Sequence, residues 1–296
     1  MSLQPERQAV IHDLGYRPYA GPRHGAGYVA WSLYKLGTRH AFGLGRSGKS
    51  KVLPFGLFAM MVLPTVIMVG VVVQVGLDQH VVTYTQYPVI TQLIISVFVS
   101  AQAPVLFSRD IRYRTLSLYF ARPLSRTTFV LTRYASLATA VLVLIATPLL
   151  VLYLGGLLAD LPLGRETGDV LVALLGAFLL AALLAAFSAV IAAVTTRRGL
   201  AVAAIIVALV VSYTVVSAVQ GISFETGSDS VGVVAGAFSP YTLVDGVLVW
   251  AFDTTSNTII APQSTVAGLG YVTVAVLTVL GAVALLVVRY RRLSSG

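Results

Sequence analysis

Six long stretches of apolar residues limit what this chain can fold into more than any other feature of its sequence. Each reaches the ~20 mostly apolar residues that a helix needs to cross the hydrocarbon core of a bilayer. They are Pro54–Leu77, Pro88–Phe107, Tyr134–Leu157, Val170–Val194, Leu200–Gly221 and Val266–Val288. The sequence therefore predicts an all-α integral membrane protein in which residues 54–288 form one domain of six transmembrane helices.

The composition agrees with a membrane protein and excludes several kinds of site. Only 10% of the 296 residues are charged, whereas soluble domains carry roughly 25%. There is no cysteine, so disulfides, zinc–thiolate sites and cysteine catalysis are excluded. The formal net charge of +9 does not predict a nucleic-acid partner, because no basic stripe with stacking aromatics lies in a soluble region.

The basic residues mark one side of the predicted membrane domain. Of 20 Lys and Arg residues, all but Arg165 lie in the N-terminal tail, the C-terminal tail, or the segments after the second and fourth apolar stretches. Because Lys and Arg concentrate in cytoplasmic loops, we expect cytoplasmic tails at residues 1–53 and 289–296. Arginine outnumbers lysine by 17 to 3, which fits a GC-rich prokaryote, and we expect the protein in its plasma membrane.

Two segments outside the apolar stretches are predicted to form short helices at a membrane surface. The first, residues 28–42, repeats apolar residues at helical spacing, which is typical of an interfacial amphipathic helix. Its side chains expected at the interface are Trp31, Tyr34, Lys35 and Arg39. A soluble helix that packs on a partner is the alternative for this segment. The second, Pro240–Phe252, is too apolar for a free loop and too short to span, so we expect a re-entrant outer helix capped by Ser239.

The segment Gly43–Ser50 formally fits the phosphate-loop pattern G-x-x-x-x-G-K-[ST]. That motif needs a strand before it and a soluble helix after it, so that backbone amides can surround a phosphate. Here an amphipathic helix precedes the segment and the first apolar stretch follows it. We therefore interpret Gly43–Ser50 as a flexible basic linker near anionic headgroups, and we expect no nucleotide site.

The sequence offers no catalytic or metal-binding constellation. Its four histidines lack metal-ligand spacing, and a solvated loop explains the acidic residues Asp160, Glu166 and Asp169. The apolar stretches contain no central ionisable residue, which argues against an ion-coupled carrier. Uncharged polar residues in or near these stretches could line a substrate path or could form hydrogen bonds between helices. The candidates are Gln74, Gln92, Gln102 and Tyr213.

The segment Ser108–Arg126, between the second and third apolar stretches, mixes basic with apolar and aromatic residues. A basic cytoplasmic loop explains its arginines but not the apolar residues between them, which need a surface to bury against. We therefore expect a short, rigid docking helix for a cytoplasmic partner, ended near Pro123 and followed by a new helix capped by Ser125. The residues expected to make this contact are Arg109, Asp110, Arg112, Tyr113, Arg114, Leu116, Tyr119, Phe120 and Arg122.

Within this segment, the pattern R-x-x-x-T-L-x-L-x-x-A-R-P-[LV]-S-R resembles the ABC-2 type exporter permeases. In this chain it consists of Arg112, Thr115, Leu116, Leu118, Ala121, Arg122, Pro123, Leu124, Ser125 and Arg126. The interfacial helix, the six spans and the outer helix that begins near Pro240 are similar to that family over most of the chain. The long basic N-terminal tail departs from the family.

The resemblance implies a division of labour between this chain and its partners. Two permease copies, identical or related, would pair in the membrane, and each would bind one of two copies of a separate ABC ATPase through Ser108–Arg126. That ATPase would hold ATP and Mg²⁺, so this chain is expected to carry no cofactor and not to be an enzyme. Membrane lipid is the other expected partner. The alternative is a membrane-embedded enzyme, or a passive membrane assembly protein without a motor.

Overall fold

The secondary structure is helical throughout the part of the chain that a computed structural model describes, namely residues 21, 24–113, 115–121, 124–195 and 197–293. No β-strand occurs within these ranges. The helices are α1 (Ala26–Ala41), α2 (Lys49–Val75), α3 (Tyr87–Ile90), α4 (Gln92–Leu106), α5 (Ser108–Arg112), α6 (Leu116–Phe120), α7 (Arg126–Leu158), α8 (Leu163–Val194), α9 (Arg198–Glu225), α10 (Asp229–Gly236), α11 (Pro240–Phe252) and α12 (Thr265–Leu293).

Six of these helical segments are long and apolar enough to cross a membrane: α2, α4 continued by α5, α7, α8, α9 and α12. The prediction of an all-α protein with six candidate spans is confirmed. The second predicted stretch, Pro88–Phe107, is not one helix, because the backbone leaves helical geometry at Thr91, between α3 and α4.

Several spans begin earlier than the apolar stretches from which they were predicted. The helix α7 begins at Arg126, directly after its predicted cap Ser125 and ahead of the apolar stretch that begins at Tyr134, and α8 begins at Leu163, ahead of the stretch that begins at Val170. A local cap sets the start of α7, whereas apolarity marks only the part of a helix that can lie in a bilayer. At α8, the N-cap residue Pro162 makes no side-chain capping hydrogen bond. At α7, the Ser125 Oγ accepts a hydrogen bond from the backbone N–H of Thr128 at 3.0 Å, as the sequence predicted.

Opposite ends of the helical bundle carry opposite charge. At one end, the Tyr290 hydroxyl donates to the Phe107 carbonyl at 2.9 Å and the Ser108 hydroxyl donates to the Ala192 carbonyl at 2.5 Å. These bonds join the ends of α12, α4, α5 and α8 where the arginines lie, and we call this the basic end. At the other end, which we call the acidic end, one cavity is lined by Asp78, Glu166, Asp169 and Asp253.

The helix α4 lies at the centre of the bundle, packed against α2, α7, α8 and α9. All of its residues from Phe98 to Leu106 are buried. Together with α5 it is the most buried of the six candidate spans, although its mean hydropathy is the lowest of the six. By contrast, α2, α9 and α12 expose much of their apolar surface, which suits helices that face lipid or another membrane protein.

The helix α8 packs closely on its neighbours through small residues. A ladder of alanines, four residues apart, is buried along its whole length: Ala173, Ala177, Ala181, Ala185, Ala189 and Ala193. At Gly176, a side chain in place of the hydrogen would overlap Leu248 of α11. Small side chains of this kind let membrane helices approach one another closely.

The helix α1 lies against α7, with one side buried and the other exposed. Leu33, Gly37 and Ala41 are buried, so this side faces the protein. The Tyr34 hydroxyl donates to Thr139 Oγ1 at 3.0 Å. On the outer side, Trp31 is 54% exposed. The predicted helix is thus present, and Leu36, which the sequence placed on its apolar repeat, is exposed rather than buried.

The two short helices before the last span, α10 and α11, are bent by 113° relative to each other. Pro240 occupies the first turn of α11, as predicted. The predicted cap is wrong, because the Ser239 side chain makes no capping hydrogen bond, and its Oγ has no hydrogen-bond partner within the described ranges. Instead, the buried Asp245 carboxylate anchors α11 by accepting hydrogen bonds from Asn257 at 2.7 and 3.0 Å.

Candidate functional site at the basic end

The predicted docking segment lies at the basic end and forms two short helices instead of one. The helices α5 and α6 are separated by a turn in which the Thr115 N–H donates to the Asp110 carbonyl at 3.1 Å. The turn brings the Asp110 carboxylate to the inside, where the Thr115 hydroxyl lies 3.4 Å from its Oδ1. One short, rigid helix was expected, and the turn that follows α5 divides it into α5 and α6. We call Ser108–Arg126 the coupling segment.

A buried ion pair fixes the coupling segment to α7. Arg133 Nη2 donates to Asp110 Oδ2 at 2.7 Å, and only 4% of the Arg133 side chain and 10% of the Asp110 side chain are exposed. The Arg133 guanidinium also lies 5.7 Å from the Tyr119 ring centroid and 5.4 Å from that of Phe129. The pair is therefore enclosed by aromatic side chains, which protect it from water and strengthen its electrostatic attraction.

The residues predicted to contact a partner fall into two groups. Arg109, Arg112 and Tyr113 are exposed. The second group points into the protein: Asp110 and Leu116 are buried, and Tyr119 and Phe120 are half-buried with their rings against Phe129. Arg114 and Arg122 lie outside the described residues, as do the side chain of Leu118 and all of Pro123. The exposed residues Arg109, Arg112 and Tyr113 thus form a positively charged and aromatic tip. The buried and half-buried residues form the part of the segment, its base, that packs against the bundle.

A cleft of about 620 Å³ opens beside this tip, and we call it the basic cleft. It is lined by four arginines from three parts of the chain, Arg46, Arg109, Arg112 and Arg198. Pro104 and Val105 of α4 form its apolar wall. Sequence reasoning placed all four arginines on one side of the membrane domain, but it did not predict that they meet in one cavity.

The interfacial residues on α1 do not line the basic cleft; Trp31, Lys35 and Arg39 are exposed, whereas Tyr34 is half-buried against α7. The rings of Trp31 and Tyr34 are stacked with their centroids 5.1 Å apart, and the Lys35 Nζ lies 5.1 Å from the Trp31 centroid. Arg39 is exposed in the last turn of α1. The four side chains predicted for this helix therefore lie near one another, with cationic groups next to an exposed indole.

The four residues predicted as a substrate path do not lie together. Gln74 is exposed near the end of α2, whereas Gln102 is buried in α4. Gln92 and Tyr213 both adjoin Tyr241, whose hydroxyl donates to the Gln92 carbonyl at 3.0 Å and whose ring lies 6.2 Å from that of Tyr213. The cavities at the basic and acidic ends are lined by other residues.

The acidic end contains a buried polar cluster that sequence reasoning missed. Glu166, attributed above to a solvated loop, lies in the first turn of α8 with only 8% of its side chain exposed. Its Oε2 lies 2.8 Å from His80 Nε2 and also accepts a hydrogen bond from the Tyr84 hydroxyl. Burial, and then the bond to Glu166, raise the pKa of Tyr84, so its hydroxyl stays protonated and remains a donor. The solvated-loop interpretation is therefore wrong for Glu166, although Asp169 is exposed.

We expect the Glu166→Ala variant to lose about 1–3 kcal/mol of unfolding free energy, because His80 and Tyr84 would lose their shared acceptor in a buried site. The matched control is Asp169→Ala, which removes the same charge from the same helix. Asp169 is exposed and lies 3.8 Å from Arg165, a surface pair that contributes less than about 1 kcal/mol. Thermal unfolding of the purified proteins in detergent measures both, and equal melting temperatures for the two variants would contradict a stabilising cluster.

These features define an all-α, multi-pass membrane protein whose bundle has a basic end and an acidic end. No protein-family model matches the chain, and no curated protein matches it.

Proposed function

We propose that this chain is the permease subunit of an ABC-2 type exporter, driven by a separate ATPase. The coupling segment supports this proposal most directly. Its exposed tip, Arg109, Arg112 and Tyr113, offers charge and an aromatic ring to a partner. Its base is held by the Asp110–Arg133 ion pair, so a force on the tip would be transmitted to α7.

A permease of this type needs a rigid connection from its motor to its spans. Both α1 and the coupling segment contact α7, which also packs against α2 and α8. In the proposed complex, two permease copies pair and two ATPase copies bind their basic ends. ATP and Mg²⁺ are held by the ATPase, and its closure pushes on α1 and the coupling segment. The spans then shift between two arrangements, because the ATPase makes different contacts in each.

The proposed orientation puts the basic end and both termini in the cytoplasm of a prokaryote, since basic loops are retained on that side. The helix α1 would then lie in the cytoplasmic membrane interface, with Trp31 at headgroup depth and Lys35 and Arg39 near lipid phosphates. The bent pair α10 and α11 would form the re-entrant element on the outer side. The transported molecule would be a lipid, drug or other amphiphile, in keeping with the apolar character of the spans.

Co-purification tests the proposal in the native host. The full-length chain carries an affinity tag and is extracted in a mild detergent. We expect the wild-type preparation to hydrolyse ATP and to contain, in equal amounts, a polypeptide with a phosphate-loop sequence identified by mass spectrometry. In the Arg109→Glu/Arg112→Glu/Tyr113→Ala variant, both signals should fall by about tenfold or more, because contact arginines often dominate an interface.

The matched control for this experiment changes exposed residues at the other end of the bundle. Leu163 and Arg165 are exposed there, in the first turn of α8, so Leu163→Ala/Arg165→Glu should leave the ATPase bound. The proposal is refuted when no ATPase accompanies the wild-type chain, or when the triple variant binds and transports as well as the wild type.

A further inference from the structure

The basic cleft contains more positive charge than the described residues neutralise. The guanidinium groups of Arg46, Arg109, Arg112 and Arg198 form no hydrogen bond and no ion pair within the described ranges. The one carboxylate in the lining, Asp110, is already paired with Arg133 at 2.7 Å. Like charges that share a cavity repel one another, and a bound anion would remove that repulsion.

We propose that the basic cleft binds the phosphate of an anionic membrane lipid, with Arg46, Arg109 and Arg198 as its ligands. Guanidinium groups suit this role because they stay charged and offer paired N–H donors that match phosphate oxygens. The cleft volume of about 620 Å³ leaves room for the phosphate and its glycerol. This site shares Arg109 with the proposed ATPase contact, whereas Arg46 and Arg198 lie outside the coupling segment and are the residues that distinguish the two.

The electrostatic surroundings of Arg46 agree with this geometry. Burial, and then the charges of Arg109 and Arg198, lower the pKa of Arg46. All three side chains line the same cavity, although they belong to the linker before α2, to α5 and to α9. A single phosphate can bridge groups that the sequence places this far apart.

The flanks of the cleft favour a lipid over a soluble phosphate. The helices α2 and α9 begin beside it, and both pack against α4, which forms its back wall. Their first turns expose apolar side chains: Val52 is 72% exposed, Leu53 is 44% exposed and Leu200 is 58% exposed. A lipid whose headgroup lies in the cleft could thus pack its acyl chains against this exposed apolar surface. The cleft would then face the leaflet that carries anionic lipid.

Native mass spectrometry of the purified full-length chain tests the site without any partner. The protein is stripped of lipid and titrated with dioleoyl phosphatidylglycerol, with dioleoyl phosphatidylcholine, or with inorganic phosphate. We expect phosphatidylglycerol to bind about tenfold more tightly than phosphatidylcholine, whose headgroup has no net charge. Inorganic phosphate alone should not bind at the same concentrations, and it should not displace the lipid.

Two double variants that remove the same charge distinguish lipid binding in the cleft from lipid attraction by the basic surface around it. Arg46→Gln/Arg198→Gln should weaken phosphatidylglycerol binding by about tenfold or more. Lys49→Gln/Lys51→Gln removes the same charge from exposed positions at the start of α2 and should change binding by less than about twofold. Arg46→Lys/Arg198→Lys keeps the charge and should retain part of the affinity, which shows that the positions tolerate substitution.

Three outcomes would overturn the lipid assignment. Equal loss in the arginine-to-glutamine and lysine-to-glutamine variants would mean that surface charge alone attracts the lipid. Displacement of the lipid by inorganic phosphate would make the ligand a soluble phosphate. Unchanged lipid binding in Arg46→Gln/Arg198→Gln, together with loss of a co-purified ATPase, would make the cleft a protein contact.

Discussion

Replacing Asp110 with alanine is expected to lower the free energy of unfolding by about 3–5 kcal/mol, because removing one partner of a buried ion pair leaves the other charge unpaired. Here that charge is Arg133, of whose side chain only 4% is exposed. The Tyr119 hydroxyl, 3.3 Å from Arg133 Nη2, is a neutral acceptor and cannot replace the carboxylate. Unfolding of the purified chain in mixed micelles with increasing denaturing detergent measures the loss.

A double-mutant cycle distinguishes the ion pair from a general loss of packing. Arg133→Met should also destabilise the chain by several kcal/mol, about 3–5 by the same reasoning. The double variant Asp110→Ala/Arg133→Met should lose less than the sum of the two single losses, because neither charge is then left alone. Arg126→Met is the control, since Arg126 is an exposed arginine in the same helix. Strict additivity would contradict the pairing.

Substituting leucine for Gly37 is expected to separate α1 from α7 and to cost about 2–3 kcal/mol, as overpacking of a close contact does. A Cβ atom at this position would lie 2.5 Å from Ser136 Oγ and 2.8 Å from Ser136 Cβ. Ser136 cannot easily yield, because its Oγ lies 2.8 Å from the Thr132 carbonyl and 3.1 Å from the Tyr34 carbonyl, and its one hydroxyl hydrogen is shared between these two acceptors. Hydrogen–deuterium exchange should show faster exchange of the α1 amides in Gly37→Leu.

The control for this substitution lies in the same helix. No described residue would lie within 4 Å of a Cβ atom at Gly27, so Gly27→Leu adds the same side chain without a contact in the described ranges. Leucine favours helix over glycine by up to about 1 kcal/mol, and this variant should be neutral or slightly stabilised. If both leucine variants protect α1 equally, the contact between Gly37 and Ser136 does not hold the helix in place.

The number of spans could be predicted because few backbone conformations are stable inside a bilayer. Backbone groups in hydrocarbon must bond within their own segment, so an apolar stretch of sufficient length forms a helix. The helix ends could not be predicted this way. Both α7 and α8 extend beyond their apolar stretches; the Ser125 cap marks the first residue of α7, whereas no capping hydrogen bond marks that of α8. The break at Thr91 inside the second stretch likewise depends on local geometry, which hydropathy does not report.

The candidate site could be located from the sequence but not resolved. Arginines mixed with aromatic residues marked the coupling segment, yet this pattern does not show which side chains turn inward. The pairs Asp110–Arg133 and His80–Glu166 join residues 23 and 86 positions apart, so no local spacing reveals them. The sequence did contain one indication of the Asp110–Arg133 pair. Asp110 is the only acidic residue of the coupling segment, so it is the one residue there that can form an ion pair with a nearby arginine.

The central position of α4 has a consequence for how the protein is made. A segment enters the membrane from the translocon according to its own apolarity, and α4 with α5 is the least apolar of the six spans. Its buried polar residues Ser96, Ser100 and Gln102 gain from neighbours that include α7, α8 and α9, all synthesised later. During biosynthesis, we therefore expect α4 to be retained at the translocon, or bound by a membrane chaperone, until the later helices are synthesised and pack around it.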